Sequence, residues 1–107
     1  MNRRVVITGL GLITPIGIGI EQTWESLCNG RSGVAEITRF DTTDYQTEIA
    51  AEVKDFDPAD FMPQKEAKRV EPFIAFALAA TRLAIEDSGL VIESRGRTWA
   101  GETMGRR

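Results

Sequence analysis

The apolar positions change their spacing several times along this chain, and each change marks an element. Val5-Val6-Ile7 is an unbroken apolar run inside Arg4–Thr8, the pattern of a short strand in a sheet covered on both faces. Gly9, Gly11, Gly17, Gly19 and Pro15 interrupt the next apolar stretch, so a glycine-rich loop is expected after the strand. Glu21–Gly30 then reads as a short amphipathic helix, with Ile20, Trp24, Leu27 and Cys28 on one face and Gly30 as its stop. That face is expected to be core, with Trp24 buried and Cys28 acting as a small hydrophobe.

From Arg31 to Gln46 turn residues dominate, apart from a brief Val34–Ile37 stretch, and Thr47–Val53 suggests a second strand. Asp57-Pro58 opens one helical turn to Met62, with Asp57 as cap and Pro58 at the first helical position. A short basic helix is expected over Gln64–Val70. Pro72 opens the strongest element, a helix over Phe73–Ser88 closed by Gly89. Phe73, Phe76, Ala77, Ala80, Leu83 and Ala84 share one face, while Ile74, Leu78 and Ile85 lie on others. A helix apolar nearly all round belongs between two layers, so the chain reads as one piece of a larger layered α/β body.

Charge divides the chain. Residues 1–94 hold 9 basic and 15 acidic side chains, whereas 95–107 holds four Arg and one acid and has no helical or strand period. This segment is expected to be a disordered basic tail. The whole chain, at −3, argues against bulk affinity for nucleic acid or an anionic membrane. Arg3-Arg4 ahead of Val5–Ile20 imitates a secretory leader, but the Gly and Pro interruptions and the missing small-x-small site exclude it; the run is also too short to span a membrane. With one Cys and no disulfide, a reducing cytoplasm is the expected compartment. The 107 residues contain no His, which removes Ser-His-Asp triads, Cys-His dyads and His-ligated metals from the chemistry they can hold.

Three groups of residues remain as candidates. Thr8-Gly9-Leu10-Gly11-Leu12-Ile13-Thr14 comes after a strand as a dinucleotide fingerprint would, but Thr14 stands at the third glycine position and no helix begins there. Glycines required for close backbone approach are the preferred reading. Lys65, Lys68 and Arg69, spaced i, i+3 and i+4, place three cations on one helical face, either a solvated surface or a dock for an acidic partner or phosphate. Cys28 has no base to activate it.

Taken in order, these segments resemble the β-ketoacyl-acyl-carrier-protein synthases, especially the type II elongation enzymes. The resemblance rests on Arg3-Arg4-Val5-Val6-Ile7-Thr8-Gly9-Leu10-Gly11, Thr14-Pro15-Ile16-Gly17, Thr23-Trp24, Gly30-Arg31-Ser32-Gly33, Ile37-Thr38-Arg39-Phe40-Asp41, Ala51–Pro58 and the helix from Pro72-Phe73 to Gly89-Leu90. It implies the N-terminal part of a thiolase-like layered αβαβα fold, incomplete in this chain, with residues 1–94 as the family segment and 95–107 as a divergent tail. It also implies a reaction without a resident cofactor, on substrates carried by the phosphopantetheine of acyl carrier protein. An acyl group passes to a cysteine, malonyl-carrier protein is decarboxylated, and the fragments join by Claisen condensation. The family's cysteine and histidines lie beyond residue 107, so no catalytic residue is expected here and the chain alone is expected to be inactive.

The same resemblance places Lys65, Lys68 and Arg69 at the surface that receives acyl carrier protein, and implies a homodimer for the complete protein with neither nucleic acid nor membrane as partner. A noncatalytic carrier-protein module and a fragment of a polyketide ketosynthase are the alternatives. After about residue 94 the family continues into a buried apolar strand where this chain has Arg97-Thr98-Trp99-Ala100-Gly101, so a truncated gene product is expected, with or without a frame shift near residue 95.

Overall fold

The structure, a computed structural model, describes residues 2–91. Its elements are β1 (Ile13–Thr14), β2 (Gly17–Ile18), α1 (Ile20–Cys28), β3 (Val34–Glu36), β4 (Ile49–Ala51), a 3₁₀ turn (Pro58–Asp60), α2 (Gln64–Ala67) and α3 (Pro72–Ser88). The strands form two separate antiparallel ribbons, β1–β2 and β3–β4, so helix and strand are mixed as expected. The segment 95–107, expected as a tail, lies outside the described residues.

Helix α3 organises the rest. Pro72 occupies its first turn, where a missing N–H leaves nothing unpaired, and Gly89 closes it in the left-handed region at φ 68°. Ala75 and Ala79 are buried on it. The small Ala80 and Ala84 let another backbone approach closely: a Cβ at Gly9 would lie 2.6 Å from the Ala84 carbonyl oxygen, and one at Gly11 would overlap the Ala80 carbonyl. The Leu10 N–H, between these glycines, donates to Asp87 Oδ2 at 2.9 Å. The glycines therefore serve close backbone contact, as the sequence suggested.

Residues 13–18, expected as loop, form a tight hairpin in which Ile13 pairs with Ile18 and Thr14 with Gly17 around Pro15-Ile16. Helix α1 lies against this hairpin through hydroxyls. Ser26 Oγ donates to the Ile16 carbonyl at 2.7 Å and Thr23 Oγ1 to that of Gly17 at 3.3 Å; both side chains are buried. The face expected to be core is instead turned outward: Trp24 is 65% exposed, and Leu27 and Cys28 are also exposed. The hairpin's carbonyls need donors, and the Thr23 and Ser26 hydroxyls supply them.

The Arg4–Thr8 strand is also corrected. These residues form no strand, and Val5 and Ile7 are 94% and 82% exposed. A strand needs a ladder partner, and none of the described residues supplies one. The second expected strand is present in shorter form: β4 pairs with β3 in the register Val34↔Ala51, Ala35↔Ala50 and Glu36↔Ile49. The helix expected to sit between two layers is covered on one side only, leaving Phe73 and Leu78 exposed.

Glu52 fastens the β3–β4 ribbon to the loop after β3. Its Oε1 accepts from the N–H and the hydroxyl of Thr38, each at 3.0 Å, and Arg39 Nε lies 3.8 Å from its other oxygen. The Thr38 backbone N–H is the main cause holding this carboxyl below the ordinary glutamate range. A depressed pKa in the folded state stabilises while the group is ionised, above its unfolded pKa, and the contribution disappears as pH falls through the folded value. Acidification below the ordinary carboxylate range is therefore expected to release Thr38. An NMR titration of its amide should show the transition in the wild-type chain and none in Glu52→Gln; a transition that persists in the variant would contradict the assignment.

Candidate functional site

The Asp57-Pro58 start behaves as its chemistry dictates. Asp57 Oδ1 accepts from the Ala59 N–H at 2.9 Å, and Pro58 begins the 3₁₀ turn. Three aromatic rings hold this turn against α3: Phe56 stacks on Phe61 at 5.6 Å between centroids and meets Phe76 edge-on at 5.1 Å. Met62 is buried immediately afterwards, and Pro63 starts α2 by accepting from the Glu66 and Ala67 N–H groups. Helix α2 thus leaves a fixed elbow.

Helical bonding continues past Ala67. The Lys68 N–H donates to Gln64, and those of Arg69 and Val70 both donate to Glu66, at 2.9 and 3.2 Å. This extension keeps Lys65, Lys68 and Arg69 on one turn, while Ala67 and Val70 are half-buried. All three cations are exposed, and among the described residues no Asp or Glu forms an ion pair with them. Within the described residues their charge therefore has no ionic partner.

Two clefts flank the elbow. One of about 200 Å³ is lined by Val53, Phe56, Val70 and Phe76, with Arg39 at its side. The other, of about 300 Å³, is lined by Gln22, Asp55, Asp57 and Asp60. Among the described residues no group of three His, Cys, Asp or Glu side chains could hold a metal ion, and no helix is long and apolar enough to cross a membrane. The Gly9–Thr14 loop runs along α3, and the nearest helix start is Ile20, behind Gly19. Its amides are not gathered at a helix N-terminus as a dinucleotide site requires. Cys28 sits exposed at the end of α1.

Arg82 was not singled out by the sequence. From α3 its Nη1 donates to the Phe61 carbonyl at 3.0 Å, and its Nε to Glu86 at 3.0 Å. The Arg82/Glu86 spacing of i, i+4 was the available signal, but it speaks only of a surface pair.

Known proteins place the whole chain. Residues 2–106 match the family described as beta-ketoacyl synthase, N-terminal domain. The chain is 46% identical over 104 residues to "3-oxoacyl-[acyl-carrier-protein] synthase 2" of Coxiella burnetii and, over the same length, of Synechocystis sp.; each alignment covers 97% of this chain and 25% of the relative. The solved structure of "the ishigamide ketosynthase/chain length factor" superposes with a TM-score of 0.75 at 40% identity, over 85% of this chain and 23% of that one. The chain therefore spans about a quarter of the length of these relatives, at their N-terminal end. With the family model matched over residues 2–106 and relatives 46% identical over 97% of the chain, this chain belongs to the β-ketoacyl synthase family and corresponds to part of its N-terminal domain.

Proposed function

We propose that this chain is the opening segment of an acyl-carrier-protein condensing enzyme of the 3-oxoacyl synthase 2 type, within a thiolase-like layered fold, and that Lys65, Lys68 and Arg69 receive the carrier protein. The observation that carries the docking reading is the set of three exposed cations on one turn, none neutralised within the described residues. Complementary charge of this kind raises the encounter rate by steering and is weakened by salt. The elbow at Phe56, Phe61 and Met62 supplies rigidity, so the cations are presented in a fixed arrangement rather than on a free tail.

Catalysis of the condensation lies outside these residues in this reading. Without histidine and with its one thiol exposed on α1, the 107-residue chain has no activated nucleophile and no donors for an enolate. It is expected to bind carrier protein without turnover, the condensation belonging to the complete homodimeric protein. The match to a ketosynthase/chain length factor keeps a polyketide partner as the second reading, one that changes the carrier protein and not the chemistry.

The test is a titration of holo-acyl carrier protein onto the chain tethered at low density, so that copies do not meet. Lys65→Glu combined with Lys68→Glu should lower the affinity by at least about tenfold. An unchanged affinity would overturn the docking assignment.

A further inference from the structure

We propose that Arg82 is a positioning residue for the basic turn, acting through the Phe61 carbonyl; the inference rests on the docking reading above. Phe61 ends the 3₁₀ turn, and only Met62 and Pro63 separate it from α2. The direction of that carbonyl therefore sets the direction in which α2 leaves. The rings of Phe56, Phe61 and Phe76 fix the side of the turn, but stacking does not aim a peptide group. Arg82 does so: Nη1 reaches the Phe61 oxygen at 3.0 Å, while Nε is held by Glu86 Oε1 at 3.0 Å one turn further along α3. A guanidinium offers donors in a planar fork, so a carboxylate on one edge fixes where the other edge points. Lysine has no second edge and cannot make both bonds in that plane.

Arg82 thus joins Glu86 on α3 to Phe61, two residues ahead of α2. Arg82 and Glu86 stay exposed, which keeps their effect modest and confined to α2 instead of to global stability.

Charge and positioning predict opposite results. Arg82→Lys keeps the cation and loses the fork; Glu86→Gln removes a negative charge, a loss that on charge alone would make an acidic partner bind more tightly. With holo-acyl carrier protein as the probe on the tethered chain, both substitutions are expected to weaken binding by about fivefold, with the salt dependence unchanged. Amides of Lys68 and Val70 should exchange with solvent faster in both variants, with no partner present. Wild-type exchange in Arg82→Lys, or faster exchange with wild-type affinity, would overturn the proposal. Should Arg82→Lys fail to fold, Glu86→Gln decides by the same two readouts. If the Lys65→Glu/Lys68→Glu control leaves affinity unchanged, the docking reading fails; if that control weakens binding and the Arg82 and Glu86 variants do not, only the positioning role fails.

Discussion

Leucine in place of Gly11 is expected to separate the N-terminal segment from α3 and to remove the protection of the Leu10 amide. A Cβ at this position overlaps the Ala80 carbonyl and comes within 2.6 Å of the Ala84 nitrogen. Both obstacles are helix backbone and cannot rotate away as a side chain would. Overpacking a core site costs about 1–3 kcal/mol when side chains can adjust; here they cannot, so the loss is expected at or above about 3 kcal/mol, a large share of a small domain's stability. Gly30→Ala provides the comparison. It places a Cβ in open space at φ 64° and is expected to cost only about 1 kcal/mol of backbone strain. Hydrogen exchange at Leu10 reports directly, since its N–H is held by Asp87. Wild-type protection in Gly11→Leu would show that the close approach is dispensable.

The second large effect concerns the chain in free solution. Among the described residues Met62, Ala75 and Ala79 are the buried apolar side chains, while fourteen larger ones, from Val5 to Val91, are exposed. Single exposed apolar residues are ordinary; three in succession at Val5–Ile7 and a Trp24/Leu27/Cys28 face on α1 are not. Untethered, the 107-residue chain is expected to self-associate at micromolar concentration and to bind a hydrophobic dye. Val5→Lys with Ile7→Lys and Trp24→Lys should shift sedimentation toward the monomer. A monomeric wild-type chain with a single cooperative unfolding transition and no dye binding would contradict this.

These same residues show what could be read in advance. Helix α3 was legible because Pro72, a helical run of apolar residues and Gly89 all speak locally. The Asp57-Pro58 turn and the basic turn were legible for the same reason, as was the structural role of Gly9 and Gly11. The β1–β2 hairpin was not: two-residue strands have no period, and Pro15, Gly17 and Gly19 mask them as loop. Nor was the direction in which α1 faces. Its apolar stripe describes a burial that the described residues do not provide, and the bonds that hold it come from Thr23 and Ser26, which read as polar surface until the Ile16 and Gly17 carbonyls are placed beside them. Val5-Val6-Ile7 errs in the same direction, since its pattern asks for partner strands that the described residues do not supply. For the site, spacing gave the three cations, while their lack of ionic partners among the described residues and the hold of Arg82 on Phe61 are properties of the tertiary arrangement.

In the reading proposed above, a fixed basic turn with no ionic partner among the described residues receives an acidic carrier protein by electrostatic steering. The most direct measurement is the association rate of holo-acyl carrier protein with the tethered chain across ionic strength. Raising salt from about 20 to 200 mM shortens the screening length from about 20 to 7 Å and is expected to slow association at least about tenfold, with dissociation little altered. Association independent of salt, or no binding at low salt, would contradict the claim.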